Sequence, residues 1–282
     1  MIEVVYKDEY IKKDTTRKEA LEAKIKRGSI FDRNGELLAY SEFEENVQKR
    51  YYPYDNLYCH IIGRSNSLLE LKYQNELLDN SPSKKFTDQK DKGNDLVLTI
   101  DHNIQEAAHK ALGDYNGAIV VSNPKTGEIY AMVSKPDFTI EEITSGKEKA
   151  TSQIPRAVQS LYAPGSTYKI VTAAALIENG YEDFKKMDDE PYLVEATGKT
   201  IGNYDGTHTN KKLDLGEAFC ISNNVYFAAA ADKVGKKAMT NMAKKFLIGE
   251  KIDFDFSDSE VSTSTFCTDL SGGCPMEELI LG

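Results

Sequence analysis

No stretch of this 282-residue sequence approaches the roughly 18 to 20 consecutive apolar residues that cross a bilayer. The opening MIEVVYKDEYIKKD is not a signal peptide either, so the chain as written is expected to be soluble. Basic excess is also absent. The net charge is −10, which argues against a nucleic-acid partner, because binding to a phosphate backbone is driven by cationic surface that displaces counterions. The lysine-rich stretches 24–27 and 84–92 are interleaved with polar or acidic residues and read as solvated faces. Cysteine is scarce: four in the chain cannot make a disulfide framework, and their spacing resembles no zinc site. Cys267 and Cys274 are the one close pair. An oxidising compartment leaves a disulfide between them open, with two unpaired small apolar side chains as the expectation. His60, His102, His109 and His208 show no HExxH or comparable spacing, so neither a metal nor another cofactor is expected. Internal repeats and low-complexity tracts are missing as well.

What is present describes an ordinary globular protein. Hydrophobic residues make up 40% and charged residues 28%, enough apolar material for a core. The length suits two domains, or one large domain with an appendage. Residues 1–26 are charged and helical or loosely ordered in pattern. Asn34-Gly35 between two apolar pairs predicts a tight hairpin, since both turn positions tolerate positive φ. One helix is predicted over 68–78. The polar stretch 81–94 reads as a linker, which places a domain boundary near residue 95. Beyond it, 96–100 is a predicted strand and Asp101 a predicted cap for a helix carrying Ile104, Ala107, Ala108, Ala111 and Leu112 at helical spacing. Residues 117–122 and 128–134 predict a buried antiparallel hairpin around a turn at 123–127. Alanine-rich, nearly uncharged helices are predicted to begin near Ser166 and Ser222.

The chemistry concentrates at those two helix starts. Pro164 and Gly165 break the chain just ahead of Ser166, which puts the serine in a first helical turn, where unpaired N–H groups can stabilise a developing oxyanion. Lys169 lies three residues on, along the same face. A serine hydroxyl needs a base to become nucleophilic, and a lysine serves as one only when burial populates its neutral amine. The apolar run 170–177 supplies that burial. An S-x-x-K tetrapeptide alone also describes an N-cap serine followed by a surface lysine. A second polar triplet, Ser222-Asn223-Asn224, opens the next alanine-rich helix, where Ser222 could relay a proton while Asn224 holds the lysine and a substrate amide.

Together these segments resemble the class B penicillin-binding proteins over nearly the whole length. Ser166 to Lys169 matches the family's S-x-x-K motif and Ser222 to Asn224 its S-x-N motif. Residues 156–169, 98–101, 117–136 and 27–35 resemble, in the family's order, the approach to the nucleophile, the start of the transpeptidase domain and the opening of the pedestal. The resemblance implies a mixed α+β fold: a three-layer, β-lactamase/transpeptidase-like domain over 96–282, with helices around a mainly antiparallel sheet left incomplete here, after a non-catalytic pedestal over 1–95. It also implies a D,D-transpeptidase that cross-links peptidoglycan stem peptides ending in D-Ala-D-Ala. Ser166 would be the nucleophile, Lys169 the general base, Ser222 the proton relay and Asn224 the positioning group, with the three polar residues Ser166, Ser222 and Asn224 binding substrate. β-Lactams would acylate the same serine, and elongation or division proteins would dock on 1–95. The implied location is the outer face of the cytoplasmic membrane.

Lys125-Thr126-Gly127 spells the family's third motif in the wrong place, ahead of the nucleophile, and is read as turn chemistry between two strands. No K-T-G or K-S-G follows Ser222, so that motif, like the family's membrane helix, is expected outside this sequence. Two further readings stay open: a catalytically silent fragment or interaction module, and a β-lactamase or β-lactam sensor, which would need a separate deacylating base or a carbamylated lysine.

Overall fold

A computed structural model describes residues 22–64, 67–79, 91–147, 149–195 and 198–265. Cys267 and Cys274 lie outside the described residues. The chain divides into two packing units, one of residues up to 160 together with 254–262, the other of residues 161–253 and those after 262.

In the first unit, β1 (Ile30–Phe31) and β2 (Leu37–Glu44) form the hairpin expected around Asn34-Gly35. Gly35 has φ 89°, and the Asp32 carboxylate accepts from the N–H groups of Asn34 (2.7 Å) and Glu36 (2.8 Å), which holds the turn closed. β3 (Val47–Tyr51) follows through Glu45-Asn46, both at positive φ, as a two-residue hairpin turn requires. β4 (Leu96–Val97) completes the sheet by pairing parallel with β1, so residues on either side of position 95 share backbone hydrogen bonds. The helix predicted over 68–78 is two pieces, Leu68–Lys72 and Gln74–Leu77, because Tyr73 leaves helical geometry at φ −104° and ψ 22°. The core gathers Ile30, Leu38, Ile62, Leu69, Leu77 and Ile100.

A charged cluster is buried beside that core. Glu70, with no exposed surface, accepts from Arg27 Nε at 2.6 Å and Arg50 Nε at 2.7 Å; Arg27 Nη2 also reaches the Glu70 carbonyl and Arg50 Nη1 the Gly28 carbonyl. A carboxylate taken out of water is tolerated when its lone pairs are filled by cations in this way.

Asp101 caps α1 (His102–Leu112), accepting from Asn103 N and Ile104 N. β5 (Gly117–Ser122) and β6 (Ile129–Lys135) pair antiparallel, and their inner face packs on α1 through Ala108, Ala131 and Val133. β5 is less buried than its apolar sequence suggests: Val120, on the face away from α1, is 49% exposed, whereas its cross-strand partner Met132 is buried in the core with Ile30 and Ile100. Lys125-Thr126-Gly127 is the exposed turn between these strands, with Gly127 at φ 78° and its N–H on the Asn123 carbonyl. The turn reading of K-T-G therefore holds.

The second unit is built on three helices, α2 (Lys169–Glu178), α4 (Asn224–Val234) and α5 (Lys236–Lys245), with a short helix α3 (Leu215–Cys220) ahead of α4. α4 is buried all round, residues 225–231 without a break, which a surface helix does not allow. Its alanines let Val171, Ala175, Met239 and Met242 approach closely. Among the described residues the unit also has two antiparallel pairs, β7 (Lys186–Met187) with β10 (Lys212–Leu213) and β8 (Tyr192–Val194) with β9 (Lys199–Ile201).

Candidate active site

Ser166 lies in a 3-10 turn, Gly165–Tyr168, that runs into α2, rather than in the helix itself. Gly165 sits at φ 56°, a backbone state that an L side chain strains to adopt, and this bend delivers Ser166 to the exposed surface at the positive end of α2. Lys169 opens the helix and is 2% exposed. Its Nζ donates to Ser222 O at 2.7 Å, Ser222 Oγ at 3.0 Å and Asn224 Oδ1 at 2.6 Å, and it stands 5.7 Å from the centre of the Phe227 ring. Among the described residues no carboxylate comes within ion-pair reach of it. Burial, uncompensated by a counter-ion, pushes the amine down to about 8.

The three acceptors match the three N–H bonds of an ammonium group. Two of them, the carbonyl oxygens of Ser222 and Asn224, can only accept. Ser222 Oγ can also donate, so it is the partner able to pass a proton to the lone pair once Lys169 is neutral.

Ser222 is not the cap of the following helix. Asn223 is, its Oδ1 accepting from Tyr226 N at 2.8 Å. Ser222 instead ends α3, with φ 54°: its N–H bonds Phe219 O, and the Asn223 N–H bonds Ala218 O. That pair of bonds is a Schellman C-cap, the arrangement that also ends α2, where Gly180 takes the left-handed position at φ 76°. A serine in this position costs on the order of 1–3 kcal/mol, and the junction it makes aims both its carbonyl and its hydroxyl at Lys169. Asn224 is fixed at its other end, Nδ2 donating to Gly202 O at 3.1 Å, while Asn203 Oδ1 accepts from the backbone of Asn224 and Val225.

Lys169, Ser222 and Asn224 thus form one hydrogen-bonded cradle. Residues 117–271, more than half of the chain, match the penicillin binding protein transpeptidase domain. The chain belongs to that family. Among curated relatives, the peptidoglycan D,D-transpeptidase MrdA of Acinetobacter baumannii is 28% identical over 265 residues, which take in 77% of this chain and 39% of MrdA. The chain thus spans well under two thirds of that relative's length. The D,D-transpeptidase domain of a peptidoglycan glycosyltransferase from Eggerthella lenta superposes with a TM-score of 0.77 at 30% identity, over 91% of this chain and 61% of the other. The imipenem acyl-enzyme complex of penicillin-binding protein A from M. tuberculosis superposes with a TM-score of 0.72 at 27% identity, over 81% and 60%.

As in those penicillin-binding proteins, the fold is the mixed α+β, β-lactamase-like class. Of the four site residues read from the sequence, the structure brings Lys169, Ser222 and Asn224 into direct contact. Ser166 stands three residues before Lys169 and is hydrogen-bonded to none of the three among the described residues. Sequence reasoning missed Gly202, Asn203 and the capping role of Asn223. Nothing in the sequence marks the first two, which stand in an unpatterned polar stretch.

Proposed function

We propose that this chain carries the serine acyl-transfer site of a peptidoglycan D,D-transpeptidase. Ser166 Oγ attacks the carbonyl of the penultimate D-Ala of a stem peptide, and its proton passes to the neutral amine of Lys169. The C–N bond breaks and D-Ala leaves with a proton returned through Lys169 and Ser222. A neighbouring stem amine then displaces Ser166 and forms the cross-link. Asn224 holds Lys169 through Oδ1 and is placed to receive a substrate amide. β-Lactams acylate the same oxygen, as the imipenem adduct of the M. tuberculosis relative suggests. Residues 1–95 serve as the non-catalytic pedestal on which elongation or division proteins dock, and the enzyme works at the outer face of the cytoplasmic membrane. Among the described residues no helix is long and apolar enough to cross a membrane.

The observation that carries this reading is Lys169 itself: a buried amine that meets neutral oxygens and an aromatic ring but no carboxylate among the described residues, held down to about 8 where a surface lysine stays near 10.5. A base poised near neutral pH is what an acyl transfer from serine requires. Incubating the full-length protein with fluorescent penicillin tests it. Covalent label is expected on the wild type and none on Ser166→Ala; label that persists in Ser166→Ala sinks the assignment.

A further inference from the structure

The acidic run Asp188-Asp189-Glu190 looks like solvated surface, yet its first member has no exposed area while the next two are exposed. Asp188 follows β7 and is held by its own backbone, N–H to Lys211 O and carbonyl to Asn210 N. Its carboxylate is saturated. Oδ1 accepts from Asn203 Nδ2 at 2.9 Å and lies 3.2 Å from His208 Nδ1; Oδ2 accepts from Asn223 Nδ2 at 2.9 Å and Thr209 N at 2.9 Å. Burial alone would raise its pKa, and the bonds from Thr209, Asn203, His208 and Asn223 overcome that, leaving the group below the ordinary carboxylate value.

What matters is where the two asparagines turn next. A side-chain amide has one donor end and one acceptor end, so an asparagine that gives Nδ2 to a carboxylate must aim Oδ1 the other way. Asn203 Oδ1 reaches the N–H groups of Asn224 (2.8 Å) and Val225 (3.3 Å), and Asn223 Oδ1 caps Tyr226 N. One carboxylate therefore fixes two amides, and they grip the first turn of α4 on either side of Asn224, next to Ser222. We propose that Asp188 is the positioning residue that holds Ser222 and Asn224 against Lys169, a role that rests on the acyl-transfer reading above. It touches neither substrate nor Ser166; it acts through the orientation of Asn203 and Asn223. An asparagine at 188 would set an N–H against Asn203 Nδ2 on one side or against Asn223 Nδ2 and Thr209 N on the other, and one of the two amides would have to flip.

The test is the rate of acylation of full-length protein by fluorescent penicillin. Asp188→Asn is expected to slow it by about 30- to 100-fold, the scale on which small misplacements of catalytic groups act. Asn224→Ala should be equally slow, and adding Asp188→Asn to it should cost less than about threefold more, because both remove the same contact. Exchanging the polarity, Asp188→Asn with Asn223→Asp, restores a carboxylate–amide bond and keeps a cap on α4, so it should recover to within about fivefold of the wild type. It also keeps the question decidable if Asp188→Asn alone does not fold. A single-variant rate within threefold of the wild type, losses that multiply, or an exchange that recovers nothing would each overturn the proposal. If the wild type takes up no label, the acyl-transfer reading fails by itself, and the positioning claim passes to the 13Cε resonance of labelled Lys169. Its titration midpoint should then differ between the wild type and the exchange-sensitive Asp188→Asn variant, and an unchanged midpoint rejects Asp188 as its positioner.

Discussion

The two packing units each bury a charge, and they treat it in opposite ways. Glu70 is met by two guanidinium groups whose hydrogen bonds fill its oxygens. Lys169 is met by three neutral oxygens and an aromatic ring. Pairing locks the first charge in place: guanidinium groups occupy both oxygens of Glu70, and the cluster ties the sheet to the helix at 68–72. Leaving the second unpaired makes it conditional, since the amine can shed its proton to escape the cost of burial. Burial is common to both sites; what separates Glu70 from Lys169 is that one meets two cations and the other meets no opposite charge among the described residues.

That contrast can be broken or sharpened by substitution. The largest effect is expected from Lys169→Arg, which keeps the cation and removes its ability to deprotonate; penicillin acylation should fall by up to about ten-thousandfold. Melting curves should change far less than the labelling rate. Next comes Glu70→Ala, which strands two buried guanidinium groups and should cost about 3–5 kcal/mol of stability in chemical denaturation. Asn224→Asp would turn the reactive site into a copy of the paired one. A carboxylate against Lys169 Nζ should raise the pH midpoint of acylation by about 1 to 3 pH units and slow labelling at neutral pH correspondingly. The smallest effect is expected at Ser222→Gly. Glycine relieves the left-handed strain and should stabilise the protein by about 1 kcal/mol, while loss of Oγ still slows acylation. A stabilised variant with undiminished labelling would remove Ser222 from the proton path.

Where contacts are local, the sequence was a good guide. Asp101 and its helix, the Asn34-Gly35 turn and the hairpin over 117–135 all rest on bonds between residues a few positions apart or on simple alternation. Ser166 and Lys169 were legible for the same reason, standing three apart at a helix start after a Pro-Gly break. Apolar periodicity did not register the break at Tyr73, which interrupts the predicted helix over 68–78. The triplet at 222–224 was legible as a motif but not as a junction, because recognising Ser222 as the end of a helix requires α3, whose short span carries little periodic signal. Asp188 and Asn203 were out of reach altogether. Their contacts bridge 15 to 35 residues of chain, and an aspartate in an acidic run gives no sign of being buried.

The measurement that bears most directly on the claim is the pH dependence of the acylation rate by a penicillin whose own chemistry is constant over the range. A lysine that must be neutral to act makes the rate rise with pH and level off above the pKa, so the account expects a half-maximum near 8 and a rate at pH 7 of about a tenth of the plateau. A rate that is flat from pH 6 to about 10, or that climbs only toward the ordinary lysine value of 10.5, would contradict it.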